Sequence, residues 1–259
     1  MPLDDGTLYA GWAEQGPPYR MRGALYLDGD GDGVDAPDAV MAAPKQALPA
    51  PRVRSFTVAA PALSAADGLD LSIEDARARL PGVSWPDTGC KRVRFFDGDV
   101  RVADTEQLFA DNNPGGYCVA IRGNLVVDGV LDAAAGGDGY DSVLAVGGNA
   151  WANAAIFRGG IKASIGGDLE VASVVICSHG DDGGTLWAKT IRAQVVHYSL
   201  YFPKPDADLD AFCIGDVYGE ESFDPGRAGE VFVPEALEEG VLDERGAARL
   251  LRAGTPILR

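Results

Sequence analysis

The sequence predicts a mainly β chain: a short parallel β-helix preceded by a small mixed α and β region and followed by a C-terminal helical arm. Three observations carry this. The first is a repeat, in which Val119 to Val127, Leu144 to Ala152 and Ala163 to Val171 share the pattern apolar, x, apolar, x, Gly, Asn or Asp, apolar, x, apolar. A fainter fourth copy begins at Gly184 and runs through Ile191 to Val195, so Gly123, Gly148, Gly167 and Gly184 stand 25, 19 and 17 residues apart. The second is the period of two in each copy, the signature of a half-buried strand, broken by a Gly-Asn or Gly-Asp corner that tolerates positive φ. The third is the glycine content, 34 of 259 residues, roughly twice an average share. A repeat of roughly 20 residues leaves no room for a helix, so stacking the copies is how their inward faces are buried. A β-sandwich with Gly-rich hairpins is the competing fold, but it has no reason to reuse one corner in register.

Residues 1–115 read as the mixed region. Pro44, Pro49, Pro51 and Pro61 cut the chain into short pieces, and 36–51 reads as a loop. Ser72 and Asp75 cap a helix from Ile73 to Leu80 that Pro81 stops. A second helix is expected from Thr105 to Ala110, and strands at Arg52 to Phe56 and Lys91 to Phe96. Residues 116–215 are the β-helix, with corners at Gly123-Asn124, Gly148-Asn149 and Gly167-Asp168 and a long corner from Ala133 to Tyr140. In 216–259, Pro234 suits a first helical position. A helix from Ala247 to Arg252 carries Leu250 and Leu251 and stops at Gly254. Acidic residues before it and Arg249 and Arg252 at its end suit the helix dipole. The arm is expected to act as a lid or docking arm over an end of the β-helix.

Charge narrows the function. Against 39 Asp and Glu stand 22 Lys and Arg, a net charge of −17, which disfavours nucleic acid because each phosphate contact needs a cation. No stretch approaches the roughly 20 apolar residues that span a bilayer. The start, Met1-Pro2-Leu3-Asp4-Asp5, is acidic where a signal peptide is basic. A cytoplasmic protein that does not engage membranes is expected. Cys90, Cys118, Cys177 and Cys213 form no C-x-x-C pair, so four buried free thiols are expected, with neither zinc nor disulfides.

Several residues are candidates for chemistry. Asp28, Asp30, Asp32 and Gly33 match the start of a calcium loop, although the twelfth position is Ala39, with Asp35 and Asp38 nearby. No cofactor is required: a solvated acidic turn is the expected reading of this loop, and a calcium site at Asp28, Asp30 and Asp32 is the alternative. His179 stands beside Asp181 and Asp182, and His197 lies in an apolar run as a core histidine would. Asp128, Asp132, Asp138 and Asp141 could serve a carbohydrate enzyme, yet no aromatic platform alternates with them, and a non-enzyme is expected. Most of Tyr117, Tyr140, Trp151, Trp187, Tyr198 and Tyr201 are expected to fill the core. Exposed aromatics beside acidic loops make a surface for a basic protein, with Asp138, Tyr140, Asp141, Asp181 and Asp182 as its candidates.

The segments Gly-Asn-Leu-Val-Val-Asp-Gly at 123–129 and Gly-Gly-Asp-Leu-Glu-Val at 166–171 resemble those of the bactofilins, polymer-forming bacterial proteins with a β-helical core. The resemblance covers about residues 117 to 200 and implies self-association through open coil ends. The structured regions on either side depart from that family. The whole chain is similar to acidic, bactofilin-like immunity proteins that accompany secreted bacterial toxins, including type VI effectors. Val231 to Glu235 and Leu250 to Arg259 carry this likeness. It implies a non-catalytic protein that binds and inhibits a toxin; the charge argument favours a basic one, such as a nuclease, and a bactofilin-like cytoskeletal scaffold is the alternative.

Overall fold

A computed structural model of the chain describes residues 48–52, 62–85, 90, 92–105, 108, 118–133, 142–178, 184–199, 205–216 and 228–259, all in the unit Leu48–Arg259. It is mainly β, and its centre is a β-solenoid of about four turns. The strands are β1 (Leu69–Ser72), β2 (Arg92–Phe96), β3 (Val100–Val102), β4 (Cys118–Ile121), β5 (Leu125–Asp132), β6 (Val143–Val146) and β7 (Ala150–Arg158). There follow β8 (Lys162–Ile165), β9 (Leu169–Val171), β10 (Val174–Ser178), β11 (Thr185–Ser199) and β12 (Asp206–Asp216), and a hairpin of β13 (Leu237–Glu238) and β14 (Val241–Leu242). Among the described residues the α-helices are α1 (Ile73–Arg79), α2 (Ala228–Val231) and α3 (Glu244–Arg252), with short 3-10 turns at Ala65–Asp67 and Pro234–Ala236.

Parallel pairing sorts the coils into three faces. On the first, β2, β4, β6, β8 and the start of β11 stack in order. On the second, β3, β5, β7, β9 and the middle of β11 do so. On the third, the ends of β5 and β7 meet β10, the end of β11 and then β12. The expected alignment of the first three copies is observed residue for residue, Val119 on Leu144 on Ala163 and Leu125 on Ala150 on Leu169. The fourth copy is corrected. Thr185 lies on Lys162 and Ile191 on Leu169, so Gly184 precedes a strand and the corner falls at Ala188-Lys189-Thr190, without glycine.

Side chains alternate in and out along each strand. Those facing in, among them Leu125, Val127, Leu144, Val146, Leu169 and Ile191, form the inner core. Two outward faces are buried as well. On the first, Ile73, Ala76 and Leu80 of the α1 region cover Phe95, Ala120 and Ala145. Helix α1 starts where the sequence places it, with Ser72 Oγ accepting from the Asp75 N–H at 3.1 Å. On the third, Val130, Ile156, Ile176, Val195 and Ile214 meet Val231, Phe232, Leu242, Ala247 and Ile257. The described part of the C-terminal segment, 228–259, therefore runs along a side of the solenoid, and its last helix begins earlier than expected, after an Asp243 cap.

The cysteine expectation is also corrected. Cys90, just before β2, and Cys118, at the start of β4, form a disulfide. One coil's return brings them together, which sequence spacing does not reveal. Cys177 and Cys213 are in no disulfide, and complete burial pushes the Cys177 thiol far above its ordinary pKa. No described helix is long and apolar enough to cross a membrane. Most of the expected strand at 52–56 and helix at 105–110 lies outside the described residues.

Candidate interaction surface

The corner residues form a ladder. Asp99 Oδ1 accepts from the Asn124 N–H, Asn124 Oδ1 from the Asn149 N–H and Asn149 Oδ1 from the Asp168 N–H, at 2.8, 2.8 and 2.9 Å. Thr190 then bonds to the Asp168 carboxylate from the next coil. The Asp99, Asn124 and Asn149 side chains each satisfy a backbone donor that turning the corner would otherwise strand. Glycine precedes the ladder residue for lack of space, not for positive φ as the sequence led us to expect. A Cβ on Gly148 would stand 2.5 Å from Asn124 Oδ1, and one on Gly167 would overlap Asn149 Oδ1. Positive-φ glycines among the described residues are Gly159, Gly240 and Gly254. Sequence reasoning found Gly123, Asn124, Gly148, Asn149, Gly167 and Asp168 but missed Asp99. Gly98-Asp99-Val100-Arg101-Val102 carries the same pattern.

Outward charge on the second face gathers around Arg192. Its guanidinium reaches Asp168 at 2.6 Å and Glu170 at 3.6 Å. The hydrogen bond from Arg192 holds the Asp168 carboxyl below its ordinary pKa, against the opposing effect of burial. Residues 48–52 cross this face, tied by Gln194 donating to Pro49 O at 2.7 Å and by the Arg52 N–H donating to Ala172 O at 2.9 Å. Between them and the ladder lies an open cleft of about 580 Å³, lined by Pro49, Pro51, Arg52, Asp168, Glu170 and Arg192. Its guanidiniums already face carboxylates, an arrangement suited to holding segments together.

The last coil is different. On β12, Asp206, Asp208 and Asp210 alternate with Ala207, Leu209 and Ala211; the aspartates are exposed and the apolar residues half-buried. Arg52 donates to Asp210 Oδ1 at 2.9 Å. The period of two is readable in Asp206-Ala207-Asp208-Leu209-Asp210-Ala211, but aspartate is depleted in strands and the row was missed.

Of the four carboxylates considered for a carbohydrate enzyme, Asp128 is held by Arg101 at 2.8 Å. Asp132 is fully buried and accepts from both Arg158 and Arg252 at 2.9 Å. Arg252 belongs to α3, so this carboxylate latches the C-terminal segment to the solenoid. Asp138, Asp141 and His179 lie outside the described residues, while His197 is buried with its ring edge-on to Phe232, centroids 5.8 Å apart. The calcium candidates Asp28, Asp30 and Asp32 and the partner-surface candidates Asp138, Tyr140, Asp141, Asp181 and Asp182 are likewise outside the described residues. Among the described residues, no group of three or more His, Cys, Asp or Glu could hold a metal ion. Tyr198 packs half-buried against the inner core, and Trp151 and Trp187 are half-buried on outward positions. No known family, curated protein or solved structure matches the chain.

Proposed function

We propose that this chain is a non-catalytic binding protein whose acidic terminal coil engages a basic protein partner, in the manner of an immunity protein that occludes a secreted toxin such as a type VI effector. The observation that carries the reading is the exposed row Asp206, Asp208 and Asp210 on the last coil, in a chain of net charge −17. Such a field steers and holds a cationic surface without any chemistry. The disulfide between Cys90 and Cys118 supports a compartment reading that differs from the expected cytoplasm: disulfides persist in oxidising surroundings and are rare in the cytosol, which favours an oxidising compartment.

Co-expression tests the reading. Cells making a basic toxin domain encoded beside this chain are expected to survive when the chain is co-produced in the same compartment. Continued killing despite soluble expression counts against it.

The scaffold reading has one observation in its favour, the half-buried interior of the last coil, which stacking would cover. Stacking two such coils also sets aspartate rows against each other, and like charges directly opposite destabilise a pair. Light scattering after size exclusion separates the two: a monomer or dimer is expected, and filaments in the void volume would establish the scaffold.

A further inference from the structure

Residues 48–52 lie on the second face as a bound peptide would. In Leu48-Pro49-Ala50-Pro51-Arg52 the prolines fix their own φ and push Leu48 and Ala50 toward extended backbone, so the segment is biased to its docked form before any contact is made. Its contacts fall on three successive coils. The Arg52 N–H donates to Ala172 O, just after β9, at 2.9 Å. Gln194 on β11 donates to Pro49 O at 2.7 Å. Arg52 Nη2 donates to both the carboxylate and the main-chain oxygen of Asp210 on β12, at 2.9 and 3.3 Å. Leu48, half-buried, packs against the apolar cluster of the third face.

The segment is held at its two ends and stands clear between them. Ala50 and Pro51 are exposed, and the cleft of about 580 Å³ has residues 49–52 on one side and Asp168, Glu170 and Arg192 on the other. The Asp210 side chain is 55% exposed, and an ion pair so open to water contributes little. None of residues 48–52 belongs to the inner core. The segment can therefore lift away while the coils stay folded, and the cleft beside it gives an incoming chain room to enter.

What takes its place must match it. The face offers a carboxylate and a carbonyl to a guanidinium, a side-chain amide to a main-chain carbonyl, and a carbonyl to a main-chain N–H. Extended segments are recognised on such terms, main-chain bonds giving affinity and side-chain contacts giving specificity.

We infer that residues 48–52 are an autoinhibitory strap, holding in cis the place that an extended, proline-flanked arginine segment of the basic partner takes by displacing them. This rests on the reading of the chain as a binder of a basic protein and names both the face and the element that its partner offers.

The test uses the full chain and a capped, labelled peptide with the sequence of residues 48–53, Leu-Pro-Ala-Pro-Arg-Val, followed by fluorescence anisotropy. A tethered strap competes at an effective concentration on the order of millimolar, so the parent is expected to bind the peptide weakly. Arg52→Ala weakens the strap and leaves its docking groups in place; it should bind the peptide at least fivefold more tightly than the parent. P49G/P51G loosens the strap by removing its stiffness without deleting a hydrogen bond, and should shift affinity in the same direction. A peptide with glutamine in place of arginine should bind R52A at least fivefold more weakly, and R52A/D210N should lose the same factor. Equal affinity of the parent and both strap variants overturns the strap as an inhibitor. Equal affinity of R52A for the two peptides, or no binding at millimolar concentration, overturns the site. If co-expression fails to protect cells while R52A gains affinity, the immunity reading falls and the strap stands; protection without a gain in either variant does the reverse.

Discussion

The molecule contains two apolar cores made by different means. Every strand residue of the inner core comes from a coil and sits above or below its counterpart in the next, as Leu125, Ala150, Leu169 and Ile191 do. The seam on the third face joins outward residues of the coils, Val130, Ile156, Ile176, Val195 and Ile214, to a segment that repeats nothing, Val231 through Ile257. Repetition builds a core by itself, but here it leaves the outside of one face apolar, and a non-repeating segment must cover it. The cover is held by packing around Phe232 and by the Asp132 carboxylate between two guanidiniums.

The largest expected effect tests the inner core. Val127→Asp places an unpaired charge in a fully buried column and costs several kcal/mol, so the far-ultraviolet signature of the whole chain should be lost. A native melting curve would mean that Val127 does not face inward. Phe232→Ala should cost about 3–5 kcal/mol but act on the seam. Hydrogen exchange should speed up across 228–258 while Leu144 and Leu169 keep their protection. Equal loss of protection in both would show one cooperative unit instead of two cores.

A smaller change sharpens the same contrast. Arg252→Met removes one of the two donors to Asp132 and should cost about 1.5–3 kcal/mol, the range for hydrogen bonds to charged groups, with faster proteolysis of the C-terminal segment as its readout. An unchanged digestion pattern would remove the latch from the account. The smallest effect concerns the corners. Asp168 has a folded pKa below its ordinary value of 3.8, so its contribution is complete above that value and fades as pH falls through the lower folded value. Asp168→Asn should therefore melt below the parent at pH 7, with the gap closing toward pH 2. A gap independent of pH would mean that the Arg192 pair contributes nothing.

How much could be read beforehand follows from the same contrast. The three glycine corners, their register and the period of two were legible because the coils repeat them. The fourth corner was not, because Ala188-Lys189-Thr190 keeps the hydrogen-bonding position through Thr190 and gives up the glycine. The seam was illegible for another reason. Strands buried on both sides read as continuous apolar runs, as in Val174-Val175-Ile176-Cys177 and Val195-Val196, and such runs do not say what covers the outer side. Two elements of the cover signalled their part, α3 through the apolar Leu250 and Leu251 and the stop at Gly254, and the short 3-10 turn through Pro234 at its start. Asp132 was visible as a carboxylate and invisible as a latch, since Arg252 lies 120 residues away.

The bond between Cys90 and Cys118 also gives the solenoid a mechanical direction. It closes a loop of sequence separation 28 that contains β2 and β3. Tension applied to the chain ends passes through the bond and bypasses those two strands. Roughly 90–100 Å of contour length, at about 3.3–3.6 Å per residue, is thus withheld from stretching unless the bond is reduced. The rungs available to be peeled away are those beyond the loop, so the molecule behaves under load as a spool pinned at its first turn.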